Sequence, residues 1–214
     1  VNQHKIAAEN KRLQLLTTKQ NKELASLNSV LEQKVEQRTK QLKAALSRSE
    51  HATTSVKKVI YNMLSSNPLF SGAYAKSVSK VAQSIAIRLE LSETQVTDIA
   101  YAALIAEIGM VGLDSKIIQT PFSKLTPAQQ ETYYSQAYRA QLILAPAQLP
   151  EVTDIIVNQF EFINGRGFPN SVAAEKIPLG AKVLAVARDY MRYRKGRING
   201  TEYETLDAID RVNN

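Results

Sequence analysis

The segment Asp98-Ile-Ala-Tyr-Ala-Ala-Leu-Ile-Ala-Glu-Ile-Gly-Met-Val-Gly112 constrains this chain more than any other. Apolar side chains fall on nearly every face of a 3.6-residue repeat, which predicts a helix over 93–109 buried on all sides rather than an amphipathic surface helix. Ser92, with Gln95 three residues on, supplies a capping box before it, and Gly109 and Gly112 loosen its end. A bilayer span needs about 20 apolar residues, so this is a core helix, and no membrane insertion is expected. Glu107 lies near its end, and a carboxylate in so apolar a setting requires a partner.

From about Ile6 to Arg48 there is no Pro and no Gly, and Gln, Lys, Glu and Leu dominate. Apolar residues recur near the 3.5 spacing of a coiled coil. One seam runs through Leu24, Leu31, Arg38 and Ala45 and the other through Asn28, Val35 and Leu42, so Asn28 and Arg38 are polar residues in the contact that fix its register. A lone helix with so narrow a stripe is not stable in water, so a partner helix is implied. The simplest partner is a second copy, giving a homodimer; the alternative is packing back on the chain's own domain. The net charge of +7 resides here: residues 1–60 carry twelve Lys/Arg against five Asp/Glu, and the remainder is balanced. These charges are spread along the helix, which reads as a solvated face. The dense basic run of a DNA-binding zipper is missing, so no DNA partner is expected. Val1 already lies in the helical pattern, which suggests a piece of something longer.

Beyond about Thr53 the patterns are helical at 54–65, 73–90 and 93–109. Thr126-Pro127-Ala128-Gln129 combines an N-cap, a proline at the first helical position and a capping-box Gln, opening a helix that should run to about Leu144. Further helices are expected over Glu151–Ile163 and Pro178–Tyr193, with a turn at Asn164–Pro169 and Thr201 with Glu204 capping the last. No run alternates as strands do. The fold class is therefore all-α, a coiled-coil helix over 1–52 followed by a helical bundle over 53–214. The chain has no cysteine, which fits a reducing, cytoplasmic location.

Three segments together resemble the HD-GYP family, cyclic di-GMP phosphodiesterases of the HD superfamily. Ala102-Ala-Leu-Ile-Ala-Glu-Ile-Gly-Met-Val-Gly112 matches a leucine-rich helix that ends in His-Asp-Ile-Gly-Lys-Ile-Gly. Thr120-Pro121 and Lys124-Leu125-Thr126 stand for the family's Lys-Pro-Gly-Lys-Leu-Thr. Glu161-Phe-Ile-Asn-Gly-Arg-Gly-Phe-Pro169 and Ile177-Pro-Leu-Gly-Ala-Lys-Val-Leu-Ala-Val-Ala187 resemble the GYP loop and its following helix. The bundle should then be HD-domain-like. Leu31-Glu-Gln-Lys-Val-Glu-Gln-Arg-Thr-Lys-Gln-Leu42 is similar to linker helices of bacterial signalling proteins, which implies an upstream module such as a response-regulator receiver.

The resemblance implies hydrolysis at a cluster of metal ions held by imidazoles and carboxylates. Carried over position by position, the family's ligands fall on Tyr74, Ala106, Glu107, Gln136, Gln159, Phe160 and Arg188, and its lysine beside the His-Asp falls on Met110. The chain's two histidines, His4 and His51, both precede the bundle. The expectation is a domain that holds no metal cofactor and is no enzyme. Glu107 should pair with Arg188, replacing metal and ligand by an internal salt bridge; the alternative is a Mg²⁺ held by Glu107 and Glu161 with water. In that alternative a residual metal-dependent phosphodiesterase survives.

Asn164, Gly165, Arg166, Gly167, Phe168 and Pro169 keep the turn of the GYP loop, which the family uses toward GGDEF-type cyclase domains; Phe168 retains an aromatic anchor without the hydroxyl. Arg188, Arg192, Arg194, Lys195 and Arg197 cluster around Tyr190 and Tyr193. Cations at a helix C-terminus meet its dipole, and they also suit a phosphate-binding edge. The expected role is an output domain that acts by protein contact or by binding intact cyclic di-GMP. The chain is also expected to end before the family domain finishes.

Overall fold

The computed structural model describes residues 2–213, and the chain divides into two compact units, Val1–Ser55 and Val56–Asn214. Helix α1 runs over Asn2–Ser66. From Lys5 to Ala52 every residue whose side chain is described is exposed, including Leu24, Leu31, Val35 and Leu42. Such a helix meets nothing within its own unit that shields its apolar stripe.

The second unit is built from α2 (Gly72–Arg88), α3 (Glu93–Leu104), α4 (Ser115–Gln119), α5 (Pro127–Tyr134), α6 (Gln136–Leu144), α7 (Pro150–Val157), α8 (Leu179–Arg194) and α9 (Thr205–Asn213). Among the described residues there is no strand, only the isolated bridges Phe160–Phe168 and Asn164–Ala173. The expected all-α bundle with a long leading helix is what forms. Both capping boxes are present, at Ser92/Gln95 before α3 and at Thr126/Gln129 before α5, with Pro127 opening the latter.

Three faces meet at the centre. On α2 the buried residues Tyr74, Val78, Ala82 and Ala86 recur every four positions, which lines them on one stripe. On α3 Ala102 and Ala103 are fully or almost fully buried, and on α8 Ala181, Leu184 and Ala187 have no exposed surface. Small side chains let the three backbones approach closely, and long neighbours fill the remaining space. The inward stripe of α8 continues from Ala181 and Leu184 to Arg188 and Arg192 at helical spacing, so the same periodicity that builds the core drives two guanidinium groups into it.

Two helices stop short of their expected ends and one expected helix divides. No residue between Asp98 and Met110 is exposed, as the apolar pattern requires, but α3 ends at Leu104 and the chain turns through a 3₁₀ segment, Ile108–Met110. Gly109 lies against the α6 backbone, where an added Cβ would fall 1.9 Å from the Gln136 carbonyl oxygen. Arg139 reaches back to this turn, donating to the carbonyls of Gly109 at 3.1 Å and Val111 at 2.6 Å. The stretch expected as one helix over 126–144 divides into α5 and α6 at Ser135, where the buried Gln136 amide donates to the Tyr133 carbonyl at 2.9 Å. The helix expected to reach Ile163 ends at Val157, where the capping residue Asn158 donates to the Asp154 carbonyl from its backbone at 3.1 Å and from its side chain at 2.8 Å. The last helix begins at Thr205, so Thr201 lies outside it.

The two kinds of glycine give a direct test. Gly109→Ala should cost about 3 kcal/mol, as overpacking against a fixed backbone does. Gly72→Ala, whose Cβ would meet nothing closer than Ser65 Oγ at 3.5 Å, should instead stabilise by about 0.5 kcal/mol. Urea denaturation of the two variants reads both signs.

Candidate functional site

A cavity of about 180 Å³ opens within the second unit, where the N-terminal turn of α2, the end of α3, α6, the segment after α7 and the C-terminal half of α8 converge. Tyr74, Ala106, Glu107, Gln136, Gln159, Phe160 and Arg188, scattered over more than half the bundle's sequence, all line it. Ser71 caps α2 by accepting from the Tyr74 amide at 3.2 Å, which seats that tyrosine on the first turn. Met110, from the turn after α3, lines the same wall.

The salt bridge expected between Glu107 and Arg188 does not form. Glu107 pairs with Arg197, from the loop past α8, whose guanidinium also lies over the Tyr74 ring at 3.7 Å from its centre. Arg188 forks onto its own neighbour, with Nε donating to Asp189 Oδ1 at 2.9 Å and Nη2 to Oδ2 at 3.0 Å. Its Nη1 donates to the Gln159 carbonyl at 2.6 Å, and the group stacks over Phe160 at 4.2 Å. Gln159 in turn donates to the Ala106 carbonyl at 3.3 Å, tying the end of α3 to α8. The physical reason is reach: helical direction carries Arg188 toward the segment after α7, while the loop beyond α8 returns Arg197 to the Glu107 side.

Glu161 is not among the lining residues. Its oxygens accept from the amides of Asn170 at 2.6 Å and Val172 at 3.0 Å, so this buried carboxylate holds the following loop together. The two carboxylates of the Mg²⁺ alternative thus have separate partners, Glu161 the loop amides and Glu107 the Arg197 guanidinium.

The loop Asn164–Pro169 also lies off the cavity. Asn164 Oδ1 accepts from the Arg166 amide at 3.0 Å, Gly165 takes φ 71°, and Gly167 packs so closely on Glu161 and Phe162 that no Cβ fits. Phe168, joined to Pro169 by a cis bond, stacks on Tyr134 with ring centres 4.5 Å apart and remains 39% exposed. Of the basic cluster, Arg188, Arg192, Lys195 and Arg197 line the cavity. Arg194 turns away to the Thr205 hydroxyl.

Burial, reinforced by the Glu107 charge, pushes the Tyr74 phenol well up against the opposing Arg197 and Arg192, so it stays a hydrogen-bond donor. Burial alone would raise the Asp189 carboxyl, yet Arg188 and Arg192 outweigh it and hold the group below the ordinary carboxylate value. Asp189 was not visible as a site residue in the sequence. Its one signal was adjacency to Arg188, which says nothing about pairing until both side chains have directions.

Residues 58–214 match the HD domain family, and the chain belongs to it. Over 135 residues, 61% of this chain and 36% of the relative, it is 27% identical to the cyclic di-GMP phosphodiesterase of Thermotoga maritima. Over 120 residues, 55% of this chain and 32% of the relative, it is 28% identical to the cyclic di-GMP phosphodiesterase response regulator RpfG of Xanthomonas campestris pv. campestris. The chain thus spans about a third of the length of these curated relatives. A solved structure, Bd1817, an HDG"Y"P protein from Bdellovibrio bacteriovorus, superposes with a TM-score of 0.55 at 16% identity, covering 77% of this chain and 62% of that one. At that identity the likeness shows the fold. Sequence kinship and fold together make residues 58–214 an HD-GYP-like domain.

These relatives correct one expectation. The domain was expected to be no enzyme, but both curated relatives are named phosphodiesterases, and kinship points to a hydrolase. The metal cluster implied by the HD-GYP resemblance does not fit the residues present, since residues 56–214 contain neither His nor Cys. Among the described residues, no group of three or more His, Cys, Asp or Glu is placed to hold a metal ion. Arg188 and Arg192 add fixed positive charge to the cavity wall. Among the described residues, no helix is long and apolar enough to cross a membrane.

The Asp189 pairing predicts a pH dependence. A carboxyl whose folded value is depressed contributes stability that is complete above its unfolded value of about 3.9 and is lost as pH falls through the lower folded value. Asp189→Asn should therefore be less stable than wild type at pH 7, with the gap closing toward pH 2–3. Urea midpoints measured across that range test it.

Proposed function

We propose that this HD domain receives the phosphodiester of cyclic di-GMP at its arginine-lined cavity, as the nucleotide-handling part of a bacterial signalling protein. One observation carries the reading: Arg188 and Arg192, 8% and 7% exposed, stand in the wall of a cavity that also holds Arg197. Planar guanidinium groups match phosphate oxygens in charge and geometry. The kinship to proteins named for cyclic di-GMP supplies the ligand. Hydrolysis of that nucleotide is the second reading, favoured by the same names; Glu107 is the one carboxylate among the cavity's lining residues.

Calorimetric titration with cyclic di-GMP, with and without Mn²⁺, followed by chromatography of the nucleotide, separates the two. Binding of intact nucleotide supports the first reading and a linear dinucleotide product the second. Neither binding nor product would sink both. Arg192→Met should weaken binding at least tenfold, a loss of about 1.4 kcal/mol.

We further assign α1 to pairing with a second copy of the chain, and the exposed Asn164–Pro169 loop to contact with a GGDEF-type or other signalling partner. Support for the first comes from the exposed apolar stripe, in which Leu31 is 49% and Val35 64% exposed. Analytical ultracentrifugation should find a dimer, converted to monomer by Leu31→Asp with Val35→Asp. A monomeric wild-type chain would remove this assignment.

A further inference from the structure

The charges around the cavity do not balance. Arg188, Arg192, Lys195 and Arg197 line it, against Glu107 in the wall and Asp189 just behind it. Asp189 is divided unequally, with its short bonds made to Arg188 and a single 3.5 Å contact left for Arg192. Arg192 otherwise rests over the rings of Phe122 and Tyr133, at 5.2 and 5.4 Å. Among the described residues no carboxylate pairs with Lys195, which stands exposed at the mouth. The Arg192 donors left without a protein partner are not buried, so they keep access to the cavity it lines, and an anion there is the group that meets them. The volume of about 180 Å³ lies below the roughly 300 Å³ at which whole small-molecule sites begin. It suits one phosphate group, with the remainder of the ligand outside.

We propose that the cavity is a phosphate site that works without metal, in which Arg192 and Arg197 clamp the anion and Glu107 is a tethered competitor that the phosphate displaces from Arg197. The identity of the molecule carrying the phosphate rests on the cyclic di-GMP reading above; the site itself does not. Arg197 is suited to exchange partners. Its side chain is 34% exposed, it follows Gly196 at φ 64°, and its guanidinium already rests on the Tyr74 ring, which keeps it over the cavity when Glu107 leaves. Carboxylate and phosphate compete for the same fork of donors, and the doubly hydrogen-bonded phosphate brings more acceptor oxygens.

This gives Glu107 a role opposite in sign to that of a metal ligand. Removing a ligand's charge weakens binding, whereas removing a competitor's charge strengthens it. Wild type, Glu107→Gln, Arg192→Met and Arg197→Gln are each titrated by calorimetry with inorganic phosphate and with cyclic di-GMP, all in EDTA. Melting curves establish that each variant is folded, and Arg197→Gln, at a partly exposed position, serves if Arg192→Met is not. Phosphate is expected to bind wild type in EDTA, about tenfold more tightly to Glu107→Gln and at least tenfold more weakly to the arginine variants. Phosphate binding that requires Mn²⁺, or that is lost in Glu107→Gln, overturns the proposal. If the phosphate pattern holds and cyclic di-GMP does not bind, the nucleotide reading fails and the phosphate site stands. If cyclic di-GMP binds equally to all four proteins, the phosphate site fails and the nucleotide reading survives elsewhere on the domain.

Discussion

The enclosure of two arginines on the inner face of α8 is the constraint to which the rest of the bundle answers. A guanidinium in a core is tolerated when its donors and its charge are met, and here they are met by different means. Arg188 has a carboxylate fork, a carbonyl and an aromatic face. Arg192 has a distant share of the same carboxylate and two rings. The asymmetry leaves one helix carrying a fully engaged guanidinium and, four residues on, one with a single long carboxylate contact.

The surrounding polar groups form a chain from that helix to the opposite wall. Asp189 holds Arg188, Arg188 holds Gln159, and Gln159 holds the Ala106 carbonyl in the turn after α3. No buried side-chain nitrogen or oxygen among the described residues lacks a partner, so the donors Arg192 has to spare are those that reach the cavity. Glu107 is placed by the turn that Gly109 permits, and it meets Arg197 across the cavity mouth. The cavity is thus a consequence of where helices end. Their alanine-rich centres pack tightly, and the longer polar side chains beyond those centres leave space between them.

In the HD-GYP pattern, this location would hold imidazoles. Amides, a tyrosine and guanidinium groups stand there in this chain, and guanidinium groups are the side chains whose geometry matches phosphate oxygens. The kinship with named phosphodiesterases and the chemistry of the wall therefore converge on the phosphate group, though by different routes.

Much of this was legible before any coordinates. Capping boxes at Ser92 and Thr126 depend on side chains bonding within one turn, and both formed where the sequence placed them. The buried character of 98–110 and the helical stripe of α8 follow from periodicity, and the absence of imidazole from the bundle follows from composition. What sequence spacing could not decide was which charge met which. Glu107 and Arg188 occupy matching motif positions, yet pairing requires side chains to point at one another, and that direction is set by the turn at Gly109, the loop after Gly196 and the reach of α8. The early end of α3 was hidden for the same reason: the Gln136 backbone meets Gly109 only once the helices have packed. Local periodicity and composition determined the helices and the missing ligands, and only the packed tertiary structure decided the ion pairs and the cavity they surround.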